Sequence, residues 1–473
     1  MYSFQQFNFS DEDIIAEFRR RREIPVDFYN REGQILIYKQ KNVTENEIQK
    51  LLNFVPQGIF YNVQDARKLG LTRMAAPPEG LTHTKLITEQ QTAALNEAAD
   101  AIFDRLKSGS LTYVEGQKAG VRVARVFEDF EKQPDVMTGV LNILAMMKER
   151  TQDVNVELAV KRTVVAMAFR VRSMQTVDFQ KKSHSTELAQ TLMMSAMLCD
   201  IGYAKMDLPT HAGLNKEEMK YIRNHPFLSY LIVAPVVNID PRVKHNILNH
   251  HRPNRSGVQG NNYPTRNWLK RSLEKLTEVH RDLPESSIHD DLKVQTRLME
   301  LEKAHHEDAN ILALSSEYAS LTSQVSWRSA FAPVRAVRMM VNNSLFTYSY
   351  RYLREFLDHV SISLCGNIPI FREGDYVIVG VRNADSGSHF EVCRIESVGR
   401  YQSRQYVRRI GFVKPVIHDD PKLHFKGFLL ESLRADPRSA DFNLARDHSR
   451  QLVYAVDPEY DEELHESIHK LER

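Results

Sequence analysis

The sequence contains few of the residues that stabilise secreted or membrane-embedded proteins. Its three cysteines, Cys199, Cys365 and Cys393, lie far apart in the chain and form no CxxC pair. A disulfide framework or a zinc ribbon is therefore not indicated, and a reducing compartment is the simpler interpretation. The longest apolar stretch, residues 230–237, contains Pro235 and is far too short to span a bilayer. The sequence accordingly predicts a cytoplasmic protein without a membrane span.

The chain also lacks an excess of charge of either sign. Lys+Arg number 63 and Asp+Glu number 61, so that the formal net charge is +2. This balance gives no reason to expect nucleic acid as a partner, although a dinucleotide needs only a local basic pocket. With 473 residues, of which 42% are hydrophobic, the chain can form roughly two to four domains with ordinary cores.

Potential metal ligands are concentrated in residues 184–264, at the ends of apolar segments with helical period. Between Glu187 and Cys199 the apolar residues fall on one face of a helix, and Gly202 is well placed to end it. If these segments pack side by side in a bundle, their ends can converge. The candidate metal ligands are Asp200, His225, His250 and His251, with Cys199 as a further candidate.

Two further helix starts are encoded in the same stretch. Asn215 and Glu218 have the spacing of a capping box, and Asp240 followed by Pro241 is typical of an N-cap with proline in the first turn. The second of these helices would end at the paired histidines.

The order of these motifs resembles the HD-GYP family, bacterial phosphodiesterases that open and hydrolyse cyclic di-GMP. CDIGY stands at 199–203, LNKEE…NHP at 214–226, HHRPNRSG…NNYP at 250–264 and ILALSSEYASLTS at 311–323. The resemblance covers about residues 151–360. It implies a helical HD-type bundle in which the ligands named above face a shared metal site.

Several positions depart from the family pattern. The first residue of the family's His-Asp doublet is Cys199, the following lysine is Tyr203, the glutamate after the paired histidines is Arg252, and the glycine of GYP is Asn262. An ungapped alignment places the family's metal-binding aspartate on Ser316, with Glu317 one residue out of register. Most of the chemistry that the signature carries is therefore changed.

An early histidine that the family uses as a ligand is also missing. No histidine occurs between His83 and His184. The corresponding helix face instead presents the apolar residues Val164, Met167, Ala168 and Val171. Hydrolysis of this type needs two or more metal ions, whereas the remaining ligands could hold one divalent ion of iron, manganese or zinc, with zinc favoured if Cys199 contributes. A vestigial site without metal, with the imidazoles only hydrogen-bonded, is the open alternative.

The favoured interpretation is a cyclic di-GMP signalling protein with a degenerate, catalytically impaired HD-GYP domain, acting as a nucleotide effector or as a scaffold for protein partners in a signalling or motility assembly. Arg252, Arg255 and Tyr263 are the candidate nucleotide contacts, because guanidinium groups bind phosphates at two points and stack on guanine. Two alternatives stay open: an active metal-dependent phosphodiesterase, and a structural or interaction protein that binds no nucleotide. The sequence does not decide whether the chain forms a homodimer.

The boundaries of the other segments are placed where the hydrophobic period of the sequence changes. Residues 1–80 predict an α/β accessory module, 81–150 a helical connector, 151–360 the bundle with an insertion at 265–310, 366–431 a small β domain, and 432–473 a peripheral helix or tail. The insertion is a candidate lid or partner-docking hairpin. The predicted fold class is mainly α, an HD-type helical bundle with a small N-terminal α/β module and a small C-terminal β-barrel or sheet.

Overall fold

The computed structural model describes residues 4–6, 12–29, 35–53, 59–62, 89–131, 153–174, 182–253, 263–281, 287–300, 307–343, 347–365, 368–383, 387–399, 401–416, 427–447 and 449–472. Within these ranges the chain is mainly helical, with strands near both ends. None of the described helices combines the length and apolarity that crossing a bilayer requires.

The N-terminal part is a small α/β unit. Its elements are β1 (Phe4–Gln6), α1 (Glu12–Arg21), β2 (Glu23–Ile24), β3 (Phe28–Tyr29), β4 (Ile35–Ile37), β5 (Gln40–Lys41), α2 (Glu45–Asn53) and β6 (Phe60–Asn62). Four strands form an antiparallel sheet in the order β1-β6-β3-β4, and β2 pairs with β5. Phe18, Phe28 and Leu51 contribute to a core of its own. The α/β character agrees with the prediction, and the predicted linker at 75–80 lies outside the described residues.

The helical part follows from residue 89 onward. Its helices are α3 (Glu89–Ser108), α4 (Tyr113–Glu131), α5 (Val154–Met174), α6 (Lys182–Leu198), a short 3-10 helix (Ile201–Lys205), α7 (Lys216–Ile222), α8 (His225–Val233), α9 (Pro241–Asn249), α10 (Arg266–Val279), α11 (Ser287–Glu300), α12 (Glu307–Leu321), α13 (Pro333–Asn342), α14 (Tyr350–His359) and α15 (Ser361–Leu364). One continuous core joins them, including Leu95 and Phe103 of the predicted connector. Helix α5 is buried along most of its length, and Val164, Met167 and Ala168 fill its core face as the sequence predicted.

Capping residues and one glycine determine where the helices around the candidate site begin and end. Asn215 and Glu218 form the predicted capping box at the start of α7. Asp240 caps α9 by accepting a hydrogen bond from the Arg242 backbone amide, with Pro241 in the first turn. Gly202 is required by close packing, because an added Cβ would lie 2.8 Å from the His225 carbonyl oxygen. The 3-10 turn can therefore lie directly against the start of α8.

The insertion at 265–310 is integrated into the bundle. Its helices α10 and α11 bury Leu269, Leu273 and Leu292 in the common core. Asp291 of α11 accepts a hydrogen bond from the Tyr230 hydroxyl at 2.8 Å and lies 3.4 Å from the Lys244 ammonium group. These buried contacts attach α11 to α8 and α9. Its predicted role as a lid or docking hairpin stays a prediction.

The C-terminal β segment is an antiparallel sheet that reaches beyond its predicted boundary. Its strands are β7 (Tyr376–Asn383), β8 (Gly387–Ser397), β9 (Tyr406–Val416), β10 (Gly427–Ala435), β11 (Asp441–Asn443) and β12 (Arg450–Ala455), followed by α16 (Glu462–Glu472). The sheet order is β10-β9-β8-β7-β12, and β11 pairs with β9. The sequence-based end of the β segment at residue 431 is therefore wrong, because β12 pairs with β7 and continues the sheet. Of the two forms predicted, barrel or sheet, the strand pairing gives a sheet.

Candidate metal centre

Three neighbouring helix ends converge on one buried point. Asp200 follows the end of α6, His225 is the first residue of α8, and His250 and His251 follow α9. The ligand-type atoms of these four residues all lie within 4.8 Å of one another. The structure thus brings together the four residues that the sequence analysis selected as candidate ligands.

The tightest part of this cluster is a triangle of acceptor atoms. Oδ1 of Asp200 lies 3.1 Å from Nε2 of His225 and 3.3 Å from Nε2 of His250. The two Nε2 atoms are 3.1 Å apart. The side chains of both histidines are fully buried, so bulk water does not separate these atoms.

Backbone carbonyl groups fix the tautomer of both imidazoles. Nδ1 of His225 lies 2.8 Å from the Ile222 carbonyl oxygen, and Nδ1 of His250 lies 2.7 Å from that of Ile247. Because a carbonyl oxygen only accepts hydrogen bonds, Nδ1 must carry the proton in each ring. In the neutral rings Nε2 therefore presents a lone pair to the centre of the cluster, which is the arrangement found in metal-binding histidines.

This triangle fits a single metal ion. Bonds of about 2.0–2.2 Å to nitrogen and oxygen place neighbouring ligand atoms of a four- or six-coordinate ion roughly 3 Å apart, which matches the three distances. Oδ1 of Asp200 also makes no hydrogen bond within the described residues. Two imidazole lone pairs and a carboxylate oxygen repel one another unless a cation lies between them.

Arg162 of α5 binds the other side of the Asp200 carboxylate. Its Nη2 donates to Oδ2 of Asp200 and its Nη1 donates to the Ala196 carbonyl oxygen at 3.0 Å. The Arg162 residue is 1% exposed. Sequence reasoning missed this contact, and the available signal was a basic Lys161-Arg162 pair inside an otherwise apolar helix.

The electrostatic environment keeps the ligands in the forms that bind metal. Burial acts to raise the pKa of Asp200, but the Arg162 guanidinium outweighs it and holds that pKa well below its usual range. Burial lowers the pKa of His250 to about 4. Burial and the neighbouring His250 lower the pKa of His251 well below its ordinary value. At neutral pH Asp200 is therefore an anion, while His250 and His251 are neutral.

Aromatic rings form one wall of the centre. The Tyr203 ring lies 4.4 Å from the His225 ring between centroids. His251 stacks on Tyr263 with centroids 4.4 Å apart and an angle of 20° between the planes. The guanidinium of Arg223 lies 5.3 Å from the Tyr263 ring centroid. Arg223 was not selected from the sequence and is a second cation near the ligands.

The other predicted site residues lie in different environments. Cys199 is fully buried and is not part of the four-residue ligand group. Its thiol contacts Arg162, and burial raises its pKa to about 12. Arg252 is 2% exposed and donates to Oδ1 of Asn249 at 2.5 Å. Tyr263 lies at the site, as described above, whereas Arg255 falls outside the described residues.

Ser316 and Glu317 of α12, the two further positions considered from the sequence, lie outside the ligand group. Ser316 is buried, and its hydroxyl makes no hydrogen bond among the described residues. Glu317, one residue further along α12, accepts a hydrogen bond from Nδ2 of Asn343 at 2.8 Å. Burial raises the pKa of Glu317 to about 7.

No protein-family model matches the chain, and no curated protein matches it. Among solved structures, the chain is similar to Bd1817, an HDG"Y"P protein from Bdellovibrio bacteriovorus, with 11% sequence identity and a TM-score of 0.36. The match covers 70% of this chain and 93% of that one. At this level of similarity the solved structure gives no information about the chemistry of the site.

Proposed function

We propose that this chain is an HD-GYP-like signalling protein that binds one divalent metal ion and acts by binding a cyclic di-GMP-type ligand or a protein partner, with hydrolysis lost or strongly impaired. The order of the motifs in residues 199–264 supports the family. The observation that carries the loss of hydrolysis is the contact between Arg162 and Oδ2 of Asp200. A carboxylate that bridges two ions commonly gives one oxygen to each, and here one of the two oxygens is taken by a guanidinium group.

The ion would be held by Oδ1 of Asp200 and Nε2 of His225 and His250, with His251 as a fourth ligand. These donors suit iron, manganese or zinc, and a divalent ion held here would polarise a bound phosphate group. The chain's own residues would orient the ligand. Tyr263 offers a ring for stacking and Arg223 offers positive charge beside it.

One observation favours a scaffold that binds no nucleotide. Arg252 was predicted to contact phosphate, yet its guanidinium is buried and hydrogen-bonded to Asn249. Moving it toward a ligand would break this contact and leave the Asn249 acceptor without it, which opposes binding. In this second candidate function the metal centre stabilises the bundle, and the protein acts through its surfaces.

Another observation favours residual phosphodiesterase activity. Three donor atoms lie within 3.3 Å of one another, whereas the fourth group, His251, lies within a wider limit of 4.8 Å. Three protein ligands with a remaining position are typical of catalytic metal centres. This third candidate predicts slow, metal-dependent release of linear pGpG or GMP, and His250→Ala should abolish it.

Calorimetry and product analysis on the same metal-loaded sample separate these candidates. We expect heat of binding with cyclic di-GMP at tens of micromolar, and no linear product after prolonged incubation. Tyr263→Ala and Arg223→Ala should each weaken binding, whereas Tyr406→Ala, at an exposed position of the C-terminal sheet, should not. Absence of heat supports the scaffold, and metal-dependent linear product supports the enzyme.

A further inference from the structure

The two terminal nitrogens of the Arg162 guanidinium lie in a cation pocket, whereas its Nε makes no hydrogen bond within the described residues. Three groups contact the guanidinium: Oδ2 of Asp200, the Ala196 carbonyl oxygen at 3.0 Å, and the Cys199 thiol. All three belong to the end of α6 and the residues directly after it, whereas Arg162 comes from the neighbouring helix α5. A carboxylate, a carbonyl and a thiol are also donors that divalent metals use.

We propose that Arg162 is a built-in cation that occupies a second cation position beside the metal centre and thereby limits the site to one ion. This inference rests on the proposed metal binding and concerns a different set of atoms. Oδ1 of Asp200 faces the imidazoles, and Oδ2 faces the guanidinium pocket. Arg162 acts through Asp200 and is a positioning residue, since it lies on the side of the carboxylate away from the histidines.

The pocket needs a cation because the Asp200 carboxylate is a buried negative charge. Asp200 is an anion that is 7% exposed, and an anion at such depth is strongly destabilising unless a positive charge lies beside it. Arg162 supplies that charge permanently, because a guanidinium group does not deprotonate in proteins. Its presence also repels a second divalent ion from the same position.

Shortening the side chain should therefore turn the pocket into a second metal site. Arg162→Ala leaves Oδ2 of Asp200, the Ala196 carbonyl and Cys199 facing the vacated volume. A divalent metal that takes the place of the guanidinium would bind the sulfur as thiolate, with the thiol proton released to water. A cobalt ion bound there would have a thiolate ligand, whereas the ligands of the first site contain no sulfur.

Cobalt titration followed by absorption spectroscopy measures both the number of bound ions and the presence of a thiolate ligand. We expect the wild-type protein to bind one Co²⁺ with no sulfur-to-cobalt charge-transfer band. Arg162→Ala should bind two Co²⁺ and show that band, and Arg162→Ala with Cys199→Ser should lose it. Millimolar guanidinium should compete for the pocket and return the count in Arg162→Ala to one. A purely structural arginine would produce none of these changes.

One control variant changes another buried arginine of α5, and a second keeps a positive charge at Arg162 itself. Arg170 is a second buried arginine of α5 and forms a 2.8 Å ion pair with Glu307. Arg170→Ala should leave the cobalt count at one, and Arg162→Lys should also bind one ion because its ammonium keeps the positive charge. Arg162→Gln provides a second neutral variant if the alanine variant folds only with added cobalt or guanidinium.

The outcomes distinguish this inference from the proposed function. If the wild-type protein binds no cobalt, the proposed metal centre is wrong. If the wild-type protein binds one ion but both neutral variants also bind one and show no thiolate band, the assignment of Arg162 is wrong and the metal centre stands. Failure of both neutral variants to fold even with cobalt or guanidinium also overturns the assignment, because a cation pocket should accept a substitute cation.

Discussion

Arg162 binds one oxygen of the Asp200 carboxylate, and the other oxygen of that carboxylate faces His225 and His250. The same anion is therefore shared between a fixed organic cation and a position suited to a metal ion. Both residues are buried, at 1% and 7% exposure.

Neutralising Asp200 should destabilise the whole bundle. Asp200→Asn keeps the size of the side chain but leaves the Arg162 guanidinium buried without its anion. Removal of one partner of a buried ion pair costs about 3–5 kcal/mol, and urea unfolding of the metal-free protein would measure this loss. Glu217→Gln breaks an exposed pair with Lys220, for which about 0–1 kcal/mol is expected. Equal effects of the two substitutions would show that the Arg162 contact contributes little.

Loss of one imidazole should remove the metal. His250→Ala deletes a donor atom that lies 3.1–3.3 Å from its two neighbours in the cluster. We expect affinity to fall by more than the roughly 10- to 100-fold that loss of an outer hydrogen-bond partner causes, as measured by competition with a chelator. The matched control is His211→Ala, since His211 is exposed and contacts Glu218. Unchanged affinity in the His250 variant would place the ion elsewhere.

The three cysteines should be unreactive in the native protein. Cys199, Cys365 and Cys393 are all buried, and burial raises the pKa of each thiol, in Cys199 to about 12. Because the thiolate is the reactive form, a thiol reagent at pH 8 should detect no thiol in the native state and three after unfolding. Rapid native labelling of Cys199 would instead indicate that its thiol reaches the metal site.

Glu317 should make stability depend on pH. Burial raises its pKa from 4.5 to about 7, so the folded state binds more protons than the unfolded state between these values. The contribution of Glu317 to stability is therefore largest below about pH 4.5 and is lost as the pH rises through 7. Glu317→Gln should remove this slope, so the gain in stability of the variant over wild type should grow from about 1 kcal/mol at pH 5 to about 3 kcal/mol above pH 7.

A control for this slope is available at the neighbouring residue. The Asn343 amide donates to the Glu317 carboxylate and lowers its pKa, against the larger effect of burial. Asn343→Ala should therefore keep the slope and extend it to higher pH. Parallel pH profiles for wild type and Glu317→Gln would refute a perturbed carboxyl at this position.

Local chemistry made the ends of the site helices predictable. The capping box at Asn215 and Glu218 and the proline after Asp240 depend on residues within one turn, and the structure has both. Gly202 was predicted as a helix end, and the structure adds that its missing side chain admits the His225 backbone. The convergence of the ligands followed from the order of the motifs rather than from any single helix.

Contacts between distant segments were not predictable in the same way. Arg162 lies in an apolar helix whose period shows where the core is, but the period cannot show that an anion 38 residues further along will be its partner. The sheet boundary was misplaced for a similar reason. The pairing of Leu452 with Val379 depends on a strand far back in the sequence, and the polar residues directly before β12 carry little hydrophobic alternation.

The most direct test of this account is the number of divalent ions bound per chain by the full-length wild-type protein, measured by elemental analysis after saturation and removal of loosely bound metal. Asp200, His225, His250 and His251 with Arg162 beside them predict one ion per chain. Two ions per chain would contradict the role given to Arg162, and none would contradict the metal centre itself.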